Sequence, residues 1–200
     1  MKLFVLFLLF LSLSASAEDK YSMRLVYGVA TTSSLVDVMT GKLGSHPESL
    51  SVVALDAGYL LKKDLFDWPV DIYAKGGFSY FNEGSHDDTY EMLTYIKAFY
   101  NMDFLDNRVR FGLGEGVSYT TSLLEAERYE SSLDGGNTSK FLNYLDISID
   151  FDIGKLIQYK AMEGTYFGIL LKHRSGIFGL INNVANGGSN YNSIYLERKF

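Results

Sequence analysis

From Phe141 to Ile153 the chain alternates between apolar and polar residues. Phe141, Leu145, Ile147, Ile149, Phe151 and Ile153 share one parity, and Tyr144, Asp146, Ser148, Asp150 and Asp152 share the other. A period of two is the signature of a strand with one apolar face. About ten such residues also suffice to cross a bilayer as a tilted strand. Residues 69–81 repeat the pattern, with Val70, Ile72, Ala74, Phe78 and Tyr80 opposing Asp71, Tyr73, Lys75 and Ser79. Beyond the first residues, no stretch is apolar for the roughly 18 positions that a helical span needs. If this chain crosses a membrane, it does so with strands.

Eight strand-like segments can be marked, at about 21–31, 50–61, 69–81, 90–101, 108–120, 141–153, 164–175 and 189–200. The first and fourth alternate poorly. An even number of strands can close on itself and leave no edge. The expected fold is therefore all-β: an up-and-down, eight-stranded antiparallel transmembrane β-barrel of the outer-membrane type. A secreted β-sandwich would show the same alternation with its apolar parity turned inward. Several features favour the barrel over the sandwich. Lys2, the apolar run Leu3 to Leu13 and Ala15-Ser16-Ala17 form a secretory signal, which assigns 1–17 to a signal peptide and 18–200 to the barrel. Cysteine is absent, while 15 Tyr, 14 Phe and 19 Gly suit aromatic girdles and tight turns. The chain ends in Phe200, on the parity of Leu196 and Ile194. A terminal aromatic on the lipid face resembles the assembly signal of bacterial outer-membrane barrels. That likeness implies the bacterial outer membrane as location and the barrel assembly machinery as a partner. The net charge of -6 argues against a nucleic-acid partner.

With both termini periplasmic, the long connections at about 32–49, 121–140 and 176–188 all fall on the outer side, where barrels carry their long loops. Residues 121–134 are expected to form a short helix there. His173 and Ser175 then lie at the outer rim. Two residues apart on a strand, they share a face with Phe167, Ile169 and Leu171. That face is the lipid side. A histidine can serve as general base for a serine, which is too weak a nucleophile alone. Side chains at i and i+2 are about 7 Å apart at Cβ, so a twist or bulge is expected to bring them together.

A rim-located His-x-Ser on the penultimate strand of an eight-stranded barrel, followed by an Asn/Gly-rich loop (Asn186-Gly187-Gly188-Ser189-Asn190-Tyr191-Asn192) and a short closing strand, resembles the PagL-type lipid A 3-O-deacylases. The resemblance covers the plan of the mature chain. It implies a Ser-His-acid triad that hydrolyses an ester-linked acyl chain of lipid A, with Ser175 as nucleophile and His173 as base. The family's glutamate has no counterpart, because Gly176 to Leu196 contains neither Asp nor Glu. Glu197 has lumen parity near the periplasmic end. Asn190, and after it Asn192, have the lipid-face parity beside His173 and are the expected orienters of the imidazole. The family also has an asparagine just after the serine, at the position of Gly176. The Gly176 N–H and the side chain of Asn143 are the expected oxyanion donors. Lys172 and Arg174 are expected to bind lipid phosphates. Serine ester hydrolysis needs no metal and no organic cofactor, so none is expected. The alternative is a non-enzymatic barrel of the small OmpA-like or OmpW-like kind, with a structural or ligand-binding role.

Other features point less clearly to function. Gly112, Gly114 and Gly116 alternate on the inner face and make room for large lumen side chains. Asp146, Asp150 and Asp152 are expected to pair in the lumen with Arg108, Arg110, Lys75 or Lys155, giving a packed interior rather than a pore. Glu115 has lipid-face parity without an evident reason. His46 and His86 lie in outer loops near Glu48 and near Asp87 and Asp88, a weak pattern for a metal site that fits solvated loop histidines better.

Overall fold

Tyr21 and Phe200 exchange backbone hydrogen bonds of 2.9 and 3.0 Å, which joins the first strand to the last. A computed structural model describes residues 19–42, 44–185 and 187–200. The expected signal peptide, 1–17, lies outside the described residues. The strands are β1 (Tyr21–Thr31), β2 (Ser51–Lys62), β3 (Val70–Asn82), β4 (Thr89–Phe104), β5 (Asn107–Thr120), β6 (Phe141–Asp152), β7 (Thr165–Ser175) and β8 (Ser189–Lys199). Each pairs antiparallel with its sequence neighbours, and β8 pairs with β1, closing an eight-stranded up-and-down barrel. Closure pairs the backbone polar groups of every strand, as a span through hydrocarbon requires.

The fourth strand runs longer than its sequence pattern suggested. It ends in a two-residue hairpin at Leu105 and Asp106, both with positive φ, the backbone that the primed hairpin turns require. The weak alternation of β1 and β4 has a simple cause. Their inward positions include Val26, Leu93, Tyr95 and Phe99, all buried, so apolar residues occupy both faces.

The outer face is apolar at mid-height and aromatic at both ends. Tyr80, Tyr90, Tyr119 and Phe141 are exposed toward the outer rim, and Tyr21, Tyr59, Trp68 and Tyr100 toward the rim that holds the termini. Such girdles mark the two membrane–water interfaces.

The inner face is filled. The Arg24 guanidinium donates to Asp56 at 2.5 Å, to Asp146 at 2.7 Å and to Tyr95 Oη at 2.6 Å. Lys97 also donates to Asp146. Arg110 grips both carboxylate oxygens of Asp150, at 2.8 and 2.7 Å, and lies over the Tyr166 ring at 3.5 Å. Lys75 pairs with Glu197 at 3.0 Å. Gly112 leaves room inside this packing, since a Cβ there would lie 2.4 Å from Ser148 Oγ and 2.6 Å from Lys97 Cε and would make both shift. Two expected lumen partners sit elsewhere: Arg108 pairs with Asp103 at the periplasmic turn, and Asp152 accepts the Lys155 and Gly164 backbone N–H groups.

The outer mouth is plugged. The helix α2 (Glu125–Asp134) follows Leu124, which packs with Ala126 against Ala30, Leu50, Val52, Phe81 and Tyr191. A shorter helix, α1 (Leu35–Met39), lies in the first outer loop, capped by Ser34 Oγ accepting the Asp37 N–H at 3.2 Å.

Because Asp146 is the carboxylate that pairs with buried Lys97 and shares Arg24 with Asp56, removing it leaves Lys97 buried without an ion-pair partner. Asp146→Ala is expected to destabilise the barrel by about 3–5 kcal/mol, seen as a lower midpoint in urea unfolding of the refolded protein in lipid.

Candidate active site

Cross-strand pairing stacks the outer face of β5 to β1 into horizontal rows. One row runs Glu115, Leu145, His173, Asn190 and Thr31, each paired with the next. In the row above it, Val117 pairs with Asn143 and Asn143 with Ser175. Directly opposed residues on one face have Cβ atoms about 4.5–5.5 Å apart. Asn190 is therefore beside His173, and Asn143 beside Ser175, although the four come from three strands.

The His173 ring meets Asn190 through Nδ1···Oδ1 at 2.7 Å, and Asn190 Nδ2 donates to the Ser33 carbonyl at 3.0 Å. This second bond sets the direction of the first. A carbonyl only accepts, so it takes the amide NH₂ and turns Oδ1 toward the ring. An accepting Oδ1 takes the Nδ1–H, which favours the tautomer whose Nε2 can serve as the base. Ser33 is itself fixed, its Oγ accepting the Gly44 N–H at 2.6 Å while Thr31 Oγ1 donates to the Gly44 carbonyl at 2.6 Å. The first outer loop thus holds the histidine through Asn190.

Ser175 is half-buried on the same outward face as His173. Among the described residues no protein group hydrogen-bonds its hydroxyl. The expected bulge does not occur, for β7 pairs in regular register on both sides through Ser175 and Arg174. No hydrogen bond joins His173 to Ser175 among the described residues, and the ring's neighbours are Asn190 and the Ser189 backbone. Asn143 is buried, with its side chain on that face and no protein partner among the described residues.

The other sequence-derived site residues are placed differently. Asn192 pairs with Leu171 one row below the histidine, so it does not orient the ring. Lys172 and Arg174 have the opposite parity to His173 and point into the lumen, which corrects their expected phosphate-binding role. Lys172 donates to Glu91 at 2.6 Å, and Arg174 pairs with Glu127 of α2 at 2.8 Å. Both are sealed from lipid and support the strand from behind. Burial pushes the Glu127 carboxyl up to about 7, against the pull of Arg174. Gly176 is buried under the last outer loop, where any Cβ would lie 2.0 Å from the Val184 carbonyl oxygen. No asparagine could fit there. Glu197 faces the lumen, as its parity indicated.

Directly beneath the histidine row the outer wall forms a trough of about 930 Å3. Its floor is Phe111, Ile149, Ile169, Ile194 and Tyr27 in one row and Ile147, Leu171 and Asn192 in the next. Val38 of α1 and Gly41 line it from the first outer loop. Leu171 is buried despite its outward parity. Beside Ser175, the last loop presents Phe178 almost wholly exposed, at 95%, and Leu180 at 83%. An apolar trough under a polar cluster at the outer rim matches a lipid in shape, with hydrocarbon below and headgroup above. Neither Ser33 nor the overhang of Val38 was foreseeable from strand periodicity, because both depend on how a long loop folds back.

No protein-family model and no curated protein matches the chain by sequence. Among solved structures, the outer membrane enzyme PagL superposes with a TM-score of 0.60 at 12% identity, over 90% of this chain and 99% of that one. Neisserial surface protein A superposes with a TM-score of 0.50 at 14% identity, over 92% and 99%. Both are eight-stranded outer-membrane barrels. The fold is that of a bacterial outer-membrane β-barrel, in agreement with the location expected from sequence.

If Asn190 ties the first outer loop to the barrel, Asn190→Ala frees that loop. Limited proteolysis of the folded barrel is expected to cut within residues 34–45 several-fold faster than in wild type.

Proposed function

We propose that the protein is an outer-membrane serine esterase that removes an ester-linked acyl chain from lipid A or lipopolysaccharide. The observation that carries this reading is the Ser33–Asn190–His173 chain, which presents a basic Nε2 on the same outward face as Ser175, above an apolar trough. The resemblance in plan and motif to PagL-type deacylases supplies the substrate class. The acyl chain lies in the trough, and its ester carbonyl reaches the level of Ser175.

Ser175 Oγ attacks the ester carbon while His173 Nε2 accepts its proton. The Asn143 amide donates to the oxyanion that forms. As the tetrahedral intermediate collapses, the carbon–oxygen bond to the sugar breaks and His173 returns the proton to the leaving hydroxyl. Water, deprotonated by the same Nε2, then releases the fatty acid from the serine. Asn190 has no negative charge with which to stabilise the imidazolium. In serine hydrolases, an asparagine in place of the acid costs about 10⁴ in kcat when it selects the wrong tautomer. Here Ser33 forces the amide into the orientation that selects the right one.

The test is lipid A mass spectrometry after expression in an outer membrane. Wild type is expected to remove one acyl chain, Ser175→Ala and His173→Ala to remove none, and Asn190→Ala to lose on the order of 10²-fold or more in rate. Unchanged lipid A with a correctly folded wild-type barrel would overturn the esterase and support the non-enzymatic OmpA-like or OmpW-like barrel.

A further inference from the structure

Three outer loops meet at a single point. Glu48 comes from the end of the first loop, His86 from the turn between β3 and β4, and Glu125 from the start of α2. His86 Nε2 lies 3.8 Å from Glu48 Oε1 and 3.7 Å from Glu125 Oε2, and one ligand atom from each residue falls within 4.8 Å of the others. These separations are too long for hydrogen bonds. Zinc bonds of about 2.0–2.1 Å would set tetrahedral ligand atoms about 3.4 Å apart. Small side-chain rotations close that difference, and all three groups retain solvent access.

A second observation points the same way. Glu83 is buried beside the cluster. Its Oε2 accepts the Glu125 N–H at 2.5 Å, its backbone carbonyl accepts the His86 N–H at 3.1 Å, and its Oε1 is buried with no partner. Glu48 Oε2 reaches the same turn, since a Cβ on Gly84 would lie 3.3 Å from it. Three carboxylates thus gather about one imidazole. Arg128 offsets part of the charge on Glu83, and a divalent cation would offset that of Glu48 and Glu125.

We propose that Glu48, His86 and Glu125 form a binding site for a divalent transition-metal cation of the zinc type, which fastens the first, second and third outer loops together over the barrel mouth. The imidazole decides the class of metal. Calcium and magnesium take oxygen ligands, whereas one nitrogen and two carboxylates with a position left for water is a zinc-like set. The site does not depend on the esterase reading. The loop it fixes at Glu48 is the one that carries Ser33 and Val38, so bound metal would also steady the edge of the trough.

The direct test is zinc titration of the folded full-length barrel in detergent micelles, in competition with a chromophoric chelator. Folding of every variant is checked by its heat-modifiable migration on gels. Wild type is expected to bind one Zn²⁺ saturably. His86→Ala is expected to weaken binding at least about tenfold, since even indirect supports of a metal are worth 10–100-fold. Glu48→Gln and Glu125→Gln should each weaken it as well. Zinc should slow proteolysis in the first outer loop of wild type and leave His86→Ala unprotected. Absence of saturable binding, binding that His86→Ala leaves unchanged, or equal affinity for Ca²⁺ would each overturn the proposal.

Discussion

The closing ladder between β1 and β8 is the constraint on which the remaining features rest. In hydrocarbon an unpaired backbone group is costly, and only a closed sheet leaves none. Closure fixes the register of all eight strands. Register then sorts every strand residue by parity into lipid or lumen, and a slip of one residue would exchange the two faces. The buried ion pairs around Asp146, Asp150 and Glu91 and the apolar belt outside are two consequences of that one sorting. So is the site. His173 and Ser175 face outward because Lys172 and Arg174 face inward, where Glu91 and Glu127 hold them.

The proposed chemistry is built on a wall rather than in a cleft. A soluble esterase must enclose its substrate to desolvate it. A barrel in a membrane already has hydrocarbon along its outer face, so the trough only has to align an acyl chain beneath the polar row. The outer loop does the remaining work. Through Ser33 it sets the Asn190 amide, and through the amide it sets the histidine tautomer. A neutral residue can thereby orient the base, although it contributes nothing to stabilising the charge that develops on it.

Much of this could be seen in the sequence, and the misses have physical causes. Strand count, topology, the long outer loops and the outward parity of His173, Ser175 and Asn190 all follow from period-two alternation. β1 and β4 were obscure because aromatic and aliphatic residues also fill the lumen. Lys172 and Arg174 were misjudged because nearness to the rim was weighed ahead of parity. Asn190 and Asn192 could not be separated by parity, which they share; only the register, pairing one with His173 and the other with Leu171, does so. The role of Gly176 depends on a loop that folds over it, and the meeting of Glu48, His86 and Glu125 depends on three loops at once. Glu115 is confirmed on the outer face between Ile96 and Leu145, and nothing in the structure explains it.

The central claim is that Ser175 is an activated nucleophile facing lipid. Treating the folded barrel with a long-chain alkyl fluorophosphonate and mapping the modified residue by peptide mass spectrometry tests it most directly. The account predicts a single adduct on Ser175 that is lost in His173→Ala and forms faster with long alkyl chains than with short ones. A folded barrel that stays unlabelled at Ser175, or labels equally well without His173, would contradict it.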